Sequence, residues 1–256
     1  FDEAIFCFTR ARTQNSDARI LECIYSQEKF DIFEARLSSL IDKDPKNLSA
    51  AAISAFASHQ LNKRDPYPFC SQPLDFLEIK NCASEFDDFD YFLERLIAQL
   101  QKYRMIWEPS GIATKFGFQT KNDLFLEPSG PLKELYLLIK SEIISYYNIH
   151  RASKFTFIRS WPEEIHLKAW FVKLLENGYQ EAHIHPDGWL SGIVYLKTSL
   201  PESNKGGGIE FSLNGNYFPI LNEDYPSLCY QPRRGDLVLF PSSLFHKTIP
   251  VQTNEE

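Results

Sequence analysis

The sequence predicts an α+β protein in which a small all-α, repeat-like region precedes a β-rich barrel or jelly roll with flanking helices. Three observations support that class. Residues 1–64 set apolar side chains at intervals of three and four, the spacing of one helix face. Residues 65–73 hold three prolines in nine positions, which no helix continues through. After His150 the apolar runs become short and are divided by Gly, Pro and Asn, the texture of strands joined by turns.

Composition bounds the function classes. At 256 residues the chain has the length of one large domain or two unequal ones. It begins at Phe1 without a Met and ends at Asn254-Glu255-Glu256, just after a strand-like run, which reads as a fragment of a longer protein. No stretch approaches the ~20 consecutive apolar residues of a membrane-spanning helix, so no membrane partner is expected. The formal charge is −7, and the nearest approaches to a basic cluster are Lys63-Arg64 and Arg233-Arg234. Phosphate-driven affinity needs clustered positive charge, so nucleic acid is disfavoured as the main partner. The five cysteines (Cys7, Cys23, Cys70, Cys82, Cys229) are odd in number and form no CxxC pair. That argues for a reducing, cytoplasmic compartment and for thiols packed as small apolar groups.

The elements follow in order. Ala4, Phe8 and Ala11 lie on one helix face, as do Phe33, Leu37, Leu40 and Ile41, and Leu48 to Leu61 is Ala-rich and helix-favouring. Phe1-Asp2 recurs as Phe30-Asp31, each followed by an amphipathic run and a polar turn. Residues 1–64 therefore resemble a degenerate tetratricopeptide-type array; an ordinary helical cap on the next domain is the alternative. Residues 65–86 form a Pro-rich connector whose Phe and Tyr content suggests that it packs against something. The following domain, residues 87–256, opens with an amphipathic helix over 87–103. Trp107 to Asn122 reads as irregular. Gly130-Pro131 introduces a helix whose Leu132, Leu135, Ile139, Ile143 and Tyr147 step by three or four. Phe155 to Ile158 is β-like, and Leu167 to Leu175 fits a buried helix or a buried strand. Short strands are then expected at Ser191–Lys197, Gly208–Leu213, Leu237–Phe240 and Thr248–Val251.

The chemistry concentrates in His183-Ile184-His185-Pro186-Asp187 and the distant His246. Residues i and i+2 of a strand face one side, so His183 and His185 can reach one ion, whereas Asp187 joins them only if the strand runs through Pro186. Two neutral nitrogens and a third ligand from another strand leave coordination positions open, the plan of oxygen-activating iron(II) sites. Antiparallel barrels bring such strand ends together at one mouth.

These residues carry a resemblance. His183-Ile184-His185, Ser191-Gly192-Ile193-Val194-Tyr195-Leu196, Gly235-Asp236-Leu237-Val238-Leu239-Phe240-Pro241-Ser242 and His246 together resemble the 2-oxoglutarate- and iron(II)-dependent oxygenases. The likeness covers residues 150–256 well and 107–149 faintly. It implies a double-stranded β-helix, which tips Leu167–Leu175 towards strand. It implies that His183 and His246 bind iron(II), with His185 as the middle ligand or, in a shifted register, a set containing His185 and Asp187. It implies 2-oxoglutarate as co-substrate, with Tyr195 and Ser191 available to hydrogen-bond it, and hydroxylation of a substrate with release of succinate. Members anchor the distal carboxylate of 2-oxoglutarate with an Arg on the strand after the last His, beyond Glu256 here; Arg159, Lys197, Arg233 and Arg234 are the stand-in candidates.

Two rivals follow from the same residues. A cupin-like metalloenzyme would keep the barrel and the histidines without 2-oxoglutarate. A non-enzymatic interaction module would use the helices as a concave protein-binding surface. The repeat-like helices also favour a protein or peptide substrate over a small metabolite. The oligomeric state is not legible.

Overall fold

The computed structural model describes residues 1–198, 206–215 and 218–252; the expected chain end at Asn254–Glu256 lies outside them. Four helices come first: α1 (Asp2–Ala11), α2 (Ser16–Ser26), α3 (Phe30–Lys43) and α4 (Leu48–Gln60). Asn47 starts α4, its side-chain oxygen accepting a hydrogen bond from Ala50 N at 3.0 Å, as an N-cap does. Helix α4 is then buried at every position except His59. Its small alanines and serines let neighbours approach on all sides, so it is a core helix and not a surface one.

The Pro-rich stretch carries a strand, β1 (Glu78–Asn81), paired antiparallel to β8 (Asp236–Pro241) in the register Glu78↔Leu239 to Asn81↔Asp236. Sequence pattern missed β1 because one apolar residue, Ile79, is too little for a period-2 signal. Helix α5 (Phe89–Leu100) is capped by Asp88, whose carboxylate accepts from Tyr91 N at 2.9 Å. Strands β2 (Met105–Trp107) and β3 (Thr114–Thr120) occupy the stretch expected to be irregular. The ladder from β3 to β4 (Val172–Gln180) breaks between Lys115 and Gly117, with Phe116 at φ +46°. That bulge shifts the face of every later residue, which is why alternation was invisible in the sequence.

Helix α6 (Pro131–His150) begins at its expected proline. Phe155–Ile158, β-like in sequence, forms the short helix α7 (Thr156–Arg159). The amides of Thr156 and Phe157 donate to Pro68 and Phe69 carbonyls, each at 3.0 Å, and Phe157 and Ile158 are both buried, a demand on adjacent residues that a one-sided strand does not meet. The ambiguous 167–175 stretch becomes strand only from Val172. Strands β5 (Leu190–Val194), β6 (Ile209–Ser212), β7 (Ser227–Tyr230) and β9 (Phe245–Thr248) are the remaining strands among the described residues. The last strand therefore starts three residues before the expected Thr248, with His246 inside it.

Among the described residues the strands form three antiparallel sheets, in the orders β1-β8-β5, β2-β3-β4 and β7-β6-β9. A bridge between His183 and His246 links the β4 segment to β9. One apolar cluster runs without a break from α2, α3 and α4 through Phe69, Phe157 and Leu237 to Phe245. A second joins α5 to α6. A third lies among the strands, on Ile209, Phe211, Val238, Phe240 and Leu244. Among the described residues no helix is long and apolar enough to cross a membrane, and all five cysteines are free thiols.

Candidate metal centre

His183 lies three residues beyond the end of β4, and His246 sits in β9. Their backbones exchange two hydrogen bonds, His183 N to His246 O and His246 N to His183 O, both 3.1 Å. His185 is held to the β8–β9 turn, its amide donating to Ser242 O at 3.0 Å. These contacts bring one nitrogen of each imidazole within 4.8 Å of the others. Ring centroids lie 4.2 Å apart for His183 and His246, 4.9 Å for His183 and His185, and 5.1 Å for His185 and His246.

The turn after His185 decides the register. Pro186 has no amide to continue a ladder, and Gly188 N closes back on His185 O at 3.0 Å. Asp187 is thereby turned out to solvent and stands outside the clustered set.

Two rings have their tautomer fixed by the backbone. His183 Nδ1 lies 2.7 Å from Glu181 O, and His246 Nδ1 lies 3.2 Å from Leu244 O. A carbonyl oxygen only accepts, so Nδ1 carries the hydrogen and Nε2 keeps its lone pair, as in histidines that hold metals. Burial keeps all three rings neutral. It lowers His183; it lowers His185 to about 4, helped by His183 beside it; and it lowers His246 furthest, with His183 and His185 adding to the effect. Three neutral, converging imidazoles suit a borderline divalent ion.

The walls are aromatic. Phe240 stands edge-on to His246 at 4.7 Å, with Phe211 at 6.4 Å. Trp170 packs against His185 at 5.5 Å while remaining 44% exposed. Trp189, although it follows the ligand turn in sequence, does not line the site. Its indole N–H instead donates to Phe157 O at 2.9 Å, and its ring packs on Phe69 and Phe157. No motif flagged Trp170, which precedes β4.

The remaining candidates part company. Ser191 Oγ and Ser242 Oγ share a hydrogen bond of 2.8 Å, so Ser191 braces the turn whose carbonyl holds His185. Tyr195 lies beyond the far end of β5, its ring against the interior cluster of Phe211 and Phe240. Burial raises its phenol, and the charges of Tyr230 and Asp236 raise it further. Arg159, Lys197, Arg233 and Arg234 are all exposed, and Arg234 is paired with Asp90. The Gly-Asp pair of the 235–241 motif has a structural duty: Gly235 takes φ +90° in the turn, and the Asp236 carboxylate ties that turn together.

Residues 168–256 match the family model described as "Putative 2OG-Fe(II) oxygenase". No curated protein matches the sequence. Among solved structures, a Pseudomonas putida prolyl-4-hydroxylase is similar at 12% identity and a TM-score of 0.48, over 79% of this chain and 92% of that one. A Burkholderia pseudomallei oxidoreductase of the 2OG-Fe(II) oxygenase family is similar at 12% identity and a TM-score of 0.47, over 80% and 84%. The matched segment, with all three histidines inside it, is thus similar to a family of oxidoreductases whose cofactor is Fe(II) and whose co-substrate is 2-oxoglutarate.

Proposed function

We propose that this chain is a 2-oxoglutarate- and iron(II)-dependent oxygenase that hydroxylates its substrate, with His183, His185 and His246 as the metal ligands. The observation that carries the ligand assignment is the convergence of three neutral imidazoles, two of them with Nδ1 tied to a backbone carbonyl. The family match supports the reaction class. The three sheets, joined through the His183–His246 bridge around the Phe211–Phe240 cluster, support a jelly-roll reading of the strands.

Iron(II) with 2-oxoglutarate supplies the activation of dioxygen. The chain's own residues do the rest. The backbone contacts at Glu181 and Leu244 aim two lone pairs before any ion arrives, so little ring ordering is left to be done on binding. Phe211, Phe240 and the burial of His246 keep water from one side of the site. Tyr195 is the residue assigned to the co-substrate, as an interior hydroxyl on the cluster that also touches His246. Ser191 acts through Ser242 on the His185 turn.

The expectation of a protein or peptide substrate drew on the repeat-like helices of the N-terminal region. Phe218 and Tyr225, from the segment between β6 and β7, pack on Phe56 of α4, and the substrate is left open.

The test is succinate release on adding Fe(II) and 2-oxoglutarate under air. Turnover that vanishes in His183→Ala and His246→Ala, and survives in Asp187→Ala, is expected. Iron binding with no consumption of 2-oxoglutarate would instead favour the cupin-like reading.

A further inference from the structure

We infer that the N-terminal helices are a positioning part of the metal centre, acting on His246 through the segment between β6 and β7. The inference rests on His246 being a metal ligand and deepens that reading. Gln60, the last residue of α4, is 7% exposed and spends its whole carboxamide on this segment. Its Oε1 accepts from Leu221 N at 2.6 Å and Asn222 N at 2.8 Å, and its Nε2 donates to Asn222 O at 2.8 Å. One side chain thus satisfies three backbone groups of a stretch with no ladder of its own there. Tyr25 of α2 adds a fourth tie, its hydroxyl donating to Pro219 O at 3.1 Å.

The segment so held leads straight to the site. Phe218 lies 5.5 Å from Phe56 on the helical side and 5.9 Å from Phe245 on the strand side. The backbone at Gly215 rests so close to Phe245 that an added Cβ would stand 2.2 Å from the ring. Phe245 is 2% exposed and is the chain neighbour of His246. Adjacent residues of a strand face opposite ways, so pressing Phe245 into its seat sets the tilt of β9 and hence the aim of the His246 ring. Close-packed interiors transmit such displacements because no void takes them up. Gln60 and Phe218 are therefore positioning residues; neither touches the ligand atoms.

Gln60→Leu removes the three backbone ties at similar size, and Phe218→Leu removes the ring between helix and strand. Co(II) serves as the probe, titrated into metal-free protein and followed by its visible absorption. Both variants should retain far-UV dichroism and cooperative unfolding, yet bind Co(II) at least tenfold more weakly with an altered absorption envelope. Without metal, amide exchange across 242–248 should rise at least tenfold, while β5 and the paired part of β8 remain protected. Wild-type affinity, envelope and exchange in both variants overturn the inference. If the wild-type protein takes up no Co(II), the metal-ligand assignment fails, and the exchange measurement still decides whether the helices hold β9. Should Gln60→Leu not fold, Tyr25→Phe replaces it, losing one hydroxyl, with the same readouts and a smaller effect.

Discussion

Replacing Asp236 tests the reasoning about the strand that backs the site. This carboxylate is 3% exposed at the head of β8. It accepts from Asn81 Nδ2 at 2.9 Å, Tyr230 OH at 2.6 Å and Arg233 N at 2.6 Å. The three donors belong to β1, β7 and the turn into β8, so one group joins three parts of the chain. A hydrogen bond to a charged group contributes roughly 1.5–3 kcal/mol. Asn81 is exposed and can rehydrate when its acceptor is lost, so Asp236→Ala should cost about 4 kcal/mol and not the full sum. At ~2–4 °C per kcal/mol for a chain of this size, the unfolding midpoint should fall by roughly 8–16 °C. Asp236→Asn keeps the size and one acceptor, and should lose about half as much. Urea and thermal unfolding of the metal-free proteins measure both. A loss under ~1 kcal/mol for the alanine variant would show that the carboxylate does not tie these elements together.

Single alanine variants of His183, His185 and His246 should each lower Co(II) or Fe(II) affinity by at least tenfold, against no change for Asp187→Ala, by titration under argon; equal loss in Asp187→Ala would restore the shifted register. In the metal-free protein the three buried imidazoles resist protonation that the unfolded chain, near its ordinary value of 6.5, accepts. Stability should therefore be full above pH 7 and fall as the pH drops from about 6.5 towards 4, by up to ~1.4 kcal/mol per pH unit for each histidine. Denaturant midpoints at stepped pH should show a steeper fall than in the His183/His185/His246→Asn triple variant, and parallel curves would refute it. Gly178→Ala would place a Cβ 2.6 Å from Phe116 O, a backbone atom. Overpacking of this kind costs roughly 1–3 kcal/mol, and an unchanged unfolding midpoint would mean that the β3–β4 bulge relaxes freely.

What could be read in advance, and what could not, divides along physical lines. The i, i+2 spacing of His183 and His185 was sufficient to place two rings on one side, and Pro186 was sufficient to doubt Asp187. Helix α6 announced itself through Gly130-Pro131 and its spacing. The runs at 191–197 and 237–240 became β5 and β8 because apolar and β-branched residues there are continuous. Strand β3 was hidden by its own bulge: once Phe116 takes a positive φ, the face of every later residue changes and alternation disappears. Strand β1 has almost no apolar content and owes its form to pairing with β8, a contact some 150 residues away. Trp170 beside His185 and Gln60 beside Asn222 are likewise meetings of distant residues. Local pattern records the needs of an element, not the identity of its neighbour.

The paired amides of His183 and His246 carry one more consequence. They place two rings, on segments widely separated along the chain, on opposite rails of a single ladder step. An ion bound there would act as a clasp between β4 and β9, and its binding energy would be folding energy for everything enclosed between them. A chelator should then do more than silence the chemistry. It should lower the unfolding midpoint and loosen the segment from 183 to 246 in one event, so that loss of metal is felt as loss of architecture.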